Sequence, residues 1–286
     1  MNVVHSLDQI PELQGPIALS IGTYDGVHLG HQMIIKRLRK ETRKKGSTVL
    51  LTFLNHPSTY LSPNAPVPLI TTTDHRIALL KEAGVDLVIA LPFNQTFARQ
   101  SYQEFFTALK EKLPFDHLIV GEDARFGKER AGGPDELQAL GIPITYLKKD
   151  GISSGAIRQL IEKGELKKVK KMLGRPYIIR LPFDQGNVIR ENDGQYRWET
   201  GVSQLSLLPS AVYGVDLMAD EKKVPGIAFY RGTQNIQKET ELSLTLYFEK
   251  ELPAAPFIDI TFLAYLHDEL DPNLSLGNFK TEPSLV

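Results

Sequence analysis

The chain has 286 residues, with 42% apolar and 23% charged side chains, a formal net charge of −1 and no cysteine. This balance excludes a disordered acidic tail and a generally basic nucleic-acid binder, and the missing thiols exclude disulfides, thiolate catalysis and Cys-ligated zinc or iron–sulfur clusters. The opening MNVVHSLDQIPELQG lacks a basic-then-apolar export signal, and no apolar run reaches membrane-spanning length, so a cytoplasmic protein without membrane contact is expected.

The predicted elements alternate. IALSIG reads as a strand and is followed by a basic helix running to Lys45; STVLLTF, the helical HRIALLKEAGV and the strand DLVIALPF come next. SYQEFFTALKEKL, HLIVG, a helix around PDELQALG and PITYLKK complete a pattern expected of a doubly wound parallel sheet with helices on both faces. In such α/β sheets, ligands bind beyond the carboxyl ends of the strands. The unusual residues fall there, in GTYDGVHLGH, TFLNHPSTY, LPFNQTF and GEDARFGKERAGG.

Two short helices follow, SSGAIRQLIEKG and ELKKVKKMLG, with Gly164 and Gly174 as stops. Near Pro176 the character changes to short Val-, Ile-, Tyr-, Thr- and Phe-rich segments parted by turn sequences such as ENDGQ and DEKKVPG. The expectation is a first domain over residues 1–175 and a second, all-β domain over 176–286, a small barrel or sandwich closed by a helix near TFLAYLHDEL.

The most informative stretch is Gly22 to His31. It lies between a strand and a helix, so its backbone N–H groups are the unpartnered ones of a helix start, where the macrodipole favours an anion. Gly22, Gly26 and Gly30 allow tight turning and close phosphate approach, while His28 and His31 add directional donors. The stretch is neither a Walker loop nor a dinucleotide GxGxxG fingerprint.

Four motifs in order carry a resemblance to a known family. GTYDGVHLGH, TFLNHP, GEDARFG and ISSGAIR, followed by LGRPY, resemble those of the bifunctional bacterial riboflavin kinase/FAD synthetases, in the adenylyltransferase module. The resemblance implies a nucleotidyltransferase that makes FAD and pyrophosphate from FMN and ATP with Mg²⁺, the metal being held mainly by ATP phosphates rather than by a protein cage. It implies catalytic roles for His28, His31, Ser154 and Arg158, and ATP contacts from Gly22, Thr23, Tyr24, Asp25, Gly30 and Ser153. It implies flavin contacts from His56, Pro57, Asp123, Arg125 and Phe126. Read from the residues alone, Phe126 is equally a core residue, His56 a hydrogen-bonded turn residue, and Arg125, Lys128 and Arg130 a solvated face. Tyr24 stands for the family's Phe, Asn55 for a Pro, Ala124 for an aromatic and Gly155 for a Thr.

The family's second module is a flavokinase barrel, and the strand order here resembles it. Its GFPTAN phosphate and magnesium motif is missing after LGRPY, and Glu239, Glu241 and Glu249 read as ordinary surface residues, so this domain is expected to be catalytically silent towards riboflavin. Two alternatives stay open: adenylyl transfer to another phosphorylated or flavin-analogue acceptor, and a non-catalytic flavin-binding or regulatory protein. The expected partners are the small-molecule substrates alone, without nucleic acid or membrane; the oligomeric state is not set by these residues.

Overall fold

A computed structural model describes residues 1–43, 45–148, 151–234 and 240–268. The chain forms two compact units: Met1–Val67 with Arg76–Ser153, and Pro68–His75 with the chain from Ser154 onward. Both helices after Ser153, which the sequence reading groups with the first domain, cluster with the second unit.

In the first unit a six-stranded, wholly parallel sheet has the order β1 (Asn2–Val4), β4 (Leu87–Leu91), β3 (Ser47–Phe53), β2 (Ile17–Ile21), β5 (His117–Gly121) and β6 (Ile144–Leu147). The strands are short, continuous apolar runs because both faces are covered. On one face, Leu19, Leu51, Ile89 and Leu118 pack with Phe105, Phe106 and Leu109 of α5 (Tyr102–Lys112) and Leu137 of α6 (Pro134–Ala139). On the other, Ala18, Leu50, Val88 and Ile119 meet Ile34, Ile35 and Leu38 of α1 (Leu29–Glu41) and Leu79 and Leu80 of α3 (Thr73–Glu82), whose residues from Arg76 onward belong to this unit. Helices on both faces make the sheet doubly wound. The short α2 (Ser58–Leu61) and α4 (Gln95–Arg99) follow β3 and β4.

Local chemistry sets several of these boundaries. Ser101 and Glu104 form a capping box at the start of α5, worth about 1 kcal/mol. The basic helix stops at Glu41, short of the predicted Lys45, with Thr42 as its cap and Arg43 left-handed at φ 48°. The strand order reverses at β2, which has β3 on one side and β5 on the other. The carboxyl ends of β2 and β5 therefore form the topological switch point.

In the second unit, α7 (Ser154–Glu162) and α8 (Leu166–Leu173) end at Gly164 and Gly174, both left-handed. Their strands form an antiparallel sheet that curls into a half-barrel, in the order β7 (Tyr177–Pro182), β13 (Phe257–His267), β10 (Ala211–Ala219), β11 (Lys222–Gln234), β12 (Thr240–Phe248), β9 (Tyr196–Ser203) and β8 (Ile189–Arg190). Leu69, from the Pro68–His75 excursion, joins these strands: its N–H donates to the Gln204 carbonyl (2.6 Å) and its carbonyl accepts from Ser206 N–H (2.7 Å).

The helix expected near TFLAYLHDEL is replaced by strand β13; Glu269 and Leu270 lie outside the described residues. The alternation of Ile258, Ile260 and Phe262 with less buried neighbours, and pairing to both β7 and β10, override helical propensity. No helix among the described residues is long and apolar enough to cross a membrane.

Candidate active site at the sheet switch point

The turn that leaves β2 is tightly and unusually folded. Gly22 N–H still donates to the Leu51 carbonyl of β3 (3.0 Å), and a side chain at Gly22 would place its Cβ 3.3 Å from the Tyr24 ring. The backbone then takes left-handed conformations at Tyr24 (φ 52°), Gly26 (φ 80°) and Val27 (φ 38°). For an aromatic and a β-branched residue this stores on the order of 1–3 kcal/mol each. Tyr24 is 2% exposed, and its hydroxyl donates to Ser20 Oγ at 2.5 Å. Burial pushes the phenol pKa well above its ordinary value, with the Ser20 bond opposing. The ring is thus a wedge beneath the turn. Asp25 is fully buried, and the Val27 carbonyl accepts from Gln32 Nε2 (3.1 Å).

The turn delivers His28 to the N-cap of α1. His28 Nδ1 accepts the backbone N–H of His31 at 3.3 Å, as the side chain of Ser or Asn would in an ordinary cap. With Nδ1 occupied as an acceptor, the neutral ring carries its hydrogen on Nε2. The two imidazoles stack with centroids 3.7 Å apart and planes 17° apart, and Tyr24 leans on His31 at 4.8 Å. Gly30 leaves room for this packing: a Cβ there would sit 3.2 Å from both Cε1 and Nδ1 of His28, close enough to press on the ring.

A depression opens at this point. It is lined by His28, Gly30 and His31 at the start of α1, by Gly121 at the end of β5, and by Lys148 and Ile152 beyond β6. Imidazole donors, helix-start N–H groups and an ammonium around one depression suit an anion. Lys148, the cation on the far rim, escaped the sequence reading because PITYLKK reads as a plain strand end.

The loops after β3 and β5 hold the other candidates of this unit. His56 Nδ1 accepts from Ser58 N–H (3.1 Å) and lies 2.7 Å from Ser58 Oγ, so that nitrogen closes the turn in which Pro57 caps α2. Asn55 joins two loops: Nδ2 donates to the Phe93 carbonyl (2.9 Å) and Thr59 Oγ1 (3.1 Å), while Oδ1 accepts from Phe93 N–H (2.8 Å). Phe93 belongs to an aromatic chain of Phe53, Phe97, Phe105, Phe106 and Phe126, with neighbouring centroids 5.1–5.4 Å apart.

Phe126 is 8% exposed, edge-on to Phe106, and its backbone exchanges two hydrogen bonds with Gly132. It anchors the loop that displays Asp123 and Arg125, both exposed. Gly127 is obligatory, since a Cβ at its φ of +70° would lie 2.3 Å from the Tyr102 nitrogen. Ser153 ends the first unit. Ser154 opens α7 in the second, and Arg158, four residues on, lies on the same helix face.

The architecture and the site define a class: an α/β nucleotidyltransferase carrying a histidine pair at the first helix of the switch point. A family model described as FAD synthetase matches residues 10–154, half of the chain. The chain belongs to the FAD synthetase family and is an enzyme of the nucleotidyltransferase class. It is 30% identical over 237 residues to the bifunctional riboflavin kinase/FMN adenylyltransferase of Escherichia coli K12, covering 79% of this chain and 75% of that one. The protein of the same name from Haemophilus influenzae is 35% identical over 203 residues (67% and 65%), and that from Bacillus subtilis 27% identical over 277 residues (93% and 84%). A solved structure described as a macrolide-efflux protein from Streptococcus pneumoniae matches with TM-score 0.77 over 97% of this chain and 94% of that one; at 22% identity this shows the fold alone.

Proposed function

We propose that the chain transfers the adenylyl group of ATP to FMN, giving FAD and pyrophosphate with Mg²⁺, and that it lacks riboflavin kinase activity. The observation that carries the first part is the His28–His31 stack at the N-terminus of a 13-residue helix, beside a depression rimmed by Lys148. Family membership and the names of the relatives agree with it.

In this reading an FMN phosphate oxygen attacks the α-phosphorus of ATP, the bond from that phosphorus to the bridging oxygen breaks, and pyrophosphate leaves. The attacking oxygen is already anionic, so no base is needed, and no electrons are exchanged. Positioning and charge stabilisation are the whole task. His28 Nε2–H and the His31 ring donate to phosphate oxygens as negative charge builds on the leaving group. The first N–H groups of α1 add their dipole. Lys148 draws the triphosphate into the depression. Ser154 and Arg158, one turn apart on α7, are proposed to hold the β- and γ-phosphates, the guanidinium doing so with its planar fork. Ser153 assists by hydroxyl donation. Gly22, Thr23, Tyr24, Asp25 and Gly30 shape the nucleotide's bed through backbone. The loops of His56, Pro57, Asp123, Arg125 and Phe126 are proposed to receive the flavin.

Among the described residues, no three His, Asp or Glu side chains gather as a metal cage. In this proposal a Mg²⁺ ion would be held mainly by the triphosphate oxygens and would offset their repulsion of the incoming phosphate.

The proposed silence of the second unit rests on the missing GFPTAN motif after LGRPY and on the surface positions of Glu241 and Glu249; Glu239 lies outside the described residues. The test is chromatography of flavins after incubation of the purified chain with ATP and Mg²⁺. FAD and pyrophosphate from FMN, with riboflavin left untouched, support both parts. No FAD from FMN overturns the first part, and FMN made from riboflavin overturns the second.

A further inference from the structure

We infer that Arg76, on α3 and outside the depression, is a positioning residue that holds the phosphate-binding turn in its strained shape. Arg76 is 1% exposed and makes no contact with solvent that substrates could use. Its guanidinium is spent on backbone: Nη1 donates to the Thr23 carbonyl (3.0 Å) and Nη2 to the Phe53 carbonyl. One carbonyl lies just past β2 and the other at the end of β3, so a single planar fork ties together the two strand ends that flank the nucleotide loop. Thr52 Oγ1 donates to the same Thr23 oxygen at 3.0 Å. The fully buried Asp25, inside the turn, supplies the negative charge that opposes the desolvation of Arg76.

This arrangement accounts for the turn's conformation. Tyr24, Gly26 and Val27 are all left-handed, and a turn with three such residues persists only where its surroundings over-determine it. The restraints on the side towards β2 include the Arg76 and Thr52 bonds to Thr23 and the Tyr24–Ser20 bond; those on the side towards α1 include the Gln32 bond to Val27 and the His31 N–H bond to His28. If Thr23 is released, the turn relaxes and His28 leaves the N-cap. Lysine cannot substitute. An ammonium would keep the charge opposite Asp25 but is a point donor that does not span two carbonyls in the guanidinium's fixed geometry.

The inference rests on the reading of this turn as the triphosphate site, and its test separates the two. The Arg76→Lys and Thr52→Val proteins are compared with the parent in thermal unfolding, in equilibrium ATP binding without flavin, and in steady-state FAD formation. Folded Arg76→Lys is expected to bind ATP about tenfold or more weakly and to lose about tenfold or more in kcat, with the KM for FMN held within about twofold. Thr52→Val, which removes one bond to the same carbonyl, is expected to weaken ATP binding by about two- to fivefold and likewise spare the KM for FMN. Folded Arg76→Lys with parental ATP affinity and kcat overturns the inference. So does an equal weakening of ATP and FMN, which is the mark of a general structural role. Should Arg76→Lys fail to fold, Thr52→Val decides: unchanged ATP affinity overturns the inference, and selective loss sustains it. A parent protein that makes no FAD defeats the proposed function but leaves the ATP-binding comparison intact as the test of Arg76.

Discussion

His28 accepts through Nδ1 the backbone N–H of His31, the same residue whose ring it stacks against at 3.7 Å. One imidazole thus caps α1 and, under the proposed function, also donates to the site, and these two tasks separate by substitution. His28→Ala is expected to lose about 10²–10³ in kcat. It also loses a helix cap worth about 1 kcal/mol, which lowers Tm by about 2–4 °C. His28→Asn keeps a capping oxygen and should regain the Tm but not the activity. His31→Ala should lose activity with little change in Tm. Thermal scans beside FAD-formation rates check all three, and a His28→Asn enzyme with near-parental kcat contradicts the donor role.

Gly30 faces that pair from the other side. A Cβ at this position meets the His28 ring at 3.2 Å, tighter than an ordinary contact, and the Ile152 carbonyl at 3.6 Å. Gly30→Ala is therefore expected to turn the imidazole and reduce kcat by about tenfold, although helix propensity in this half-buried first turn favours Ala by up to about 1 kcal/mol. A stability gain together with an activity loss is the signature to look for, and kinetics of the folded variant reads it.

Asn55 makes a clip through its side-chain amide. Three hydrogen bonds of 2.8–3.1 Å tie it to Phe93 and Thr59, and the Phe93 ring abuts Phe53 and Phe97. Asn55→Ala should release the loop after β4 and raise the KM for FMN by about three- to tenfold while leaving ATP binding unchanged, each hydrogen bond contributing about 1 kcal/mol. Steady-state kinetics with each substrate varied separately reads the split; a rise in the KM for ATP instead sinks this assignment.

The second unit carries a buried histidine that is expected to weaken stability in acid. His75 is 3% exposed, and its Nδ1 has no hydrogen-bond partner among the described residues. Burial, with Arg175 and Arg180 nearby and only Asp259 opposing, lowers its pKa from 6.5 to about 3. The unfolded chain takes up this proton below about pH 6.5, whereas the folded chain does not until about pH 3. The unfolding free energy thus falls as the pH drops through that window, by up to about 1.4 kcal/mol per pH unit from this group, and the contribution is absent above it. Urea unfolding between pH 7 and pH 5 should show the loss, and His75→Gln should flatten it. An unaltered slope in His75→Gln would assign the acid sensitivity to other groups.

The sequence alone determined the features that depend on near neighbours. The alternation of apolar strands with helices, the glycine stops at Gly164 and Gly174 and the histidine turn at a helix start all follow from periodicity and capping within a few residues. The tertiary structure decided what the same side chains touch across long gaps. Asn55 reaches Phe93 38 positions on, Arg76 reaches back 53 to Thr23, and Pro68 meets Ser206 across 138. It also put Phe126 and Tyr24 in the core, gave His56 Nδ1 to a turn, and made a strand of the segment read as the closing helix. A buried fork, a wedge or a sheet register is chosen by which partners remain once the whole chain has packed. No local window of residues contains that competition.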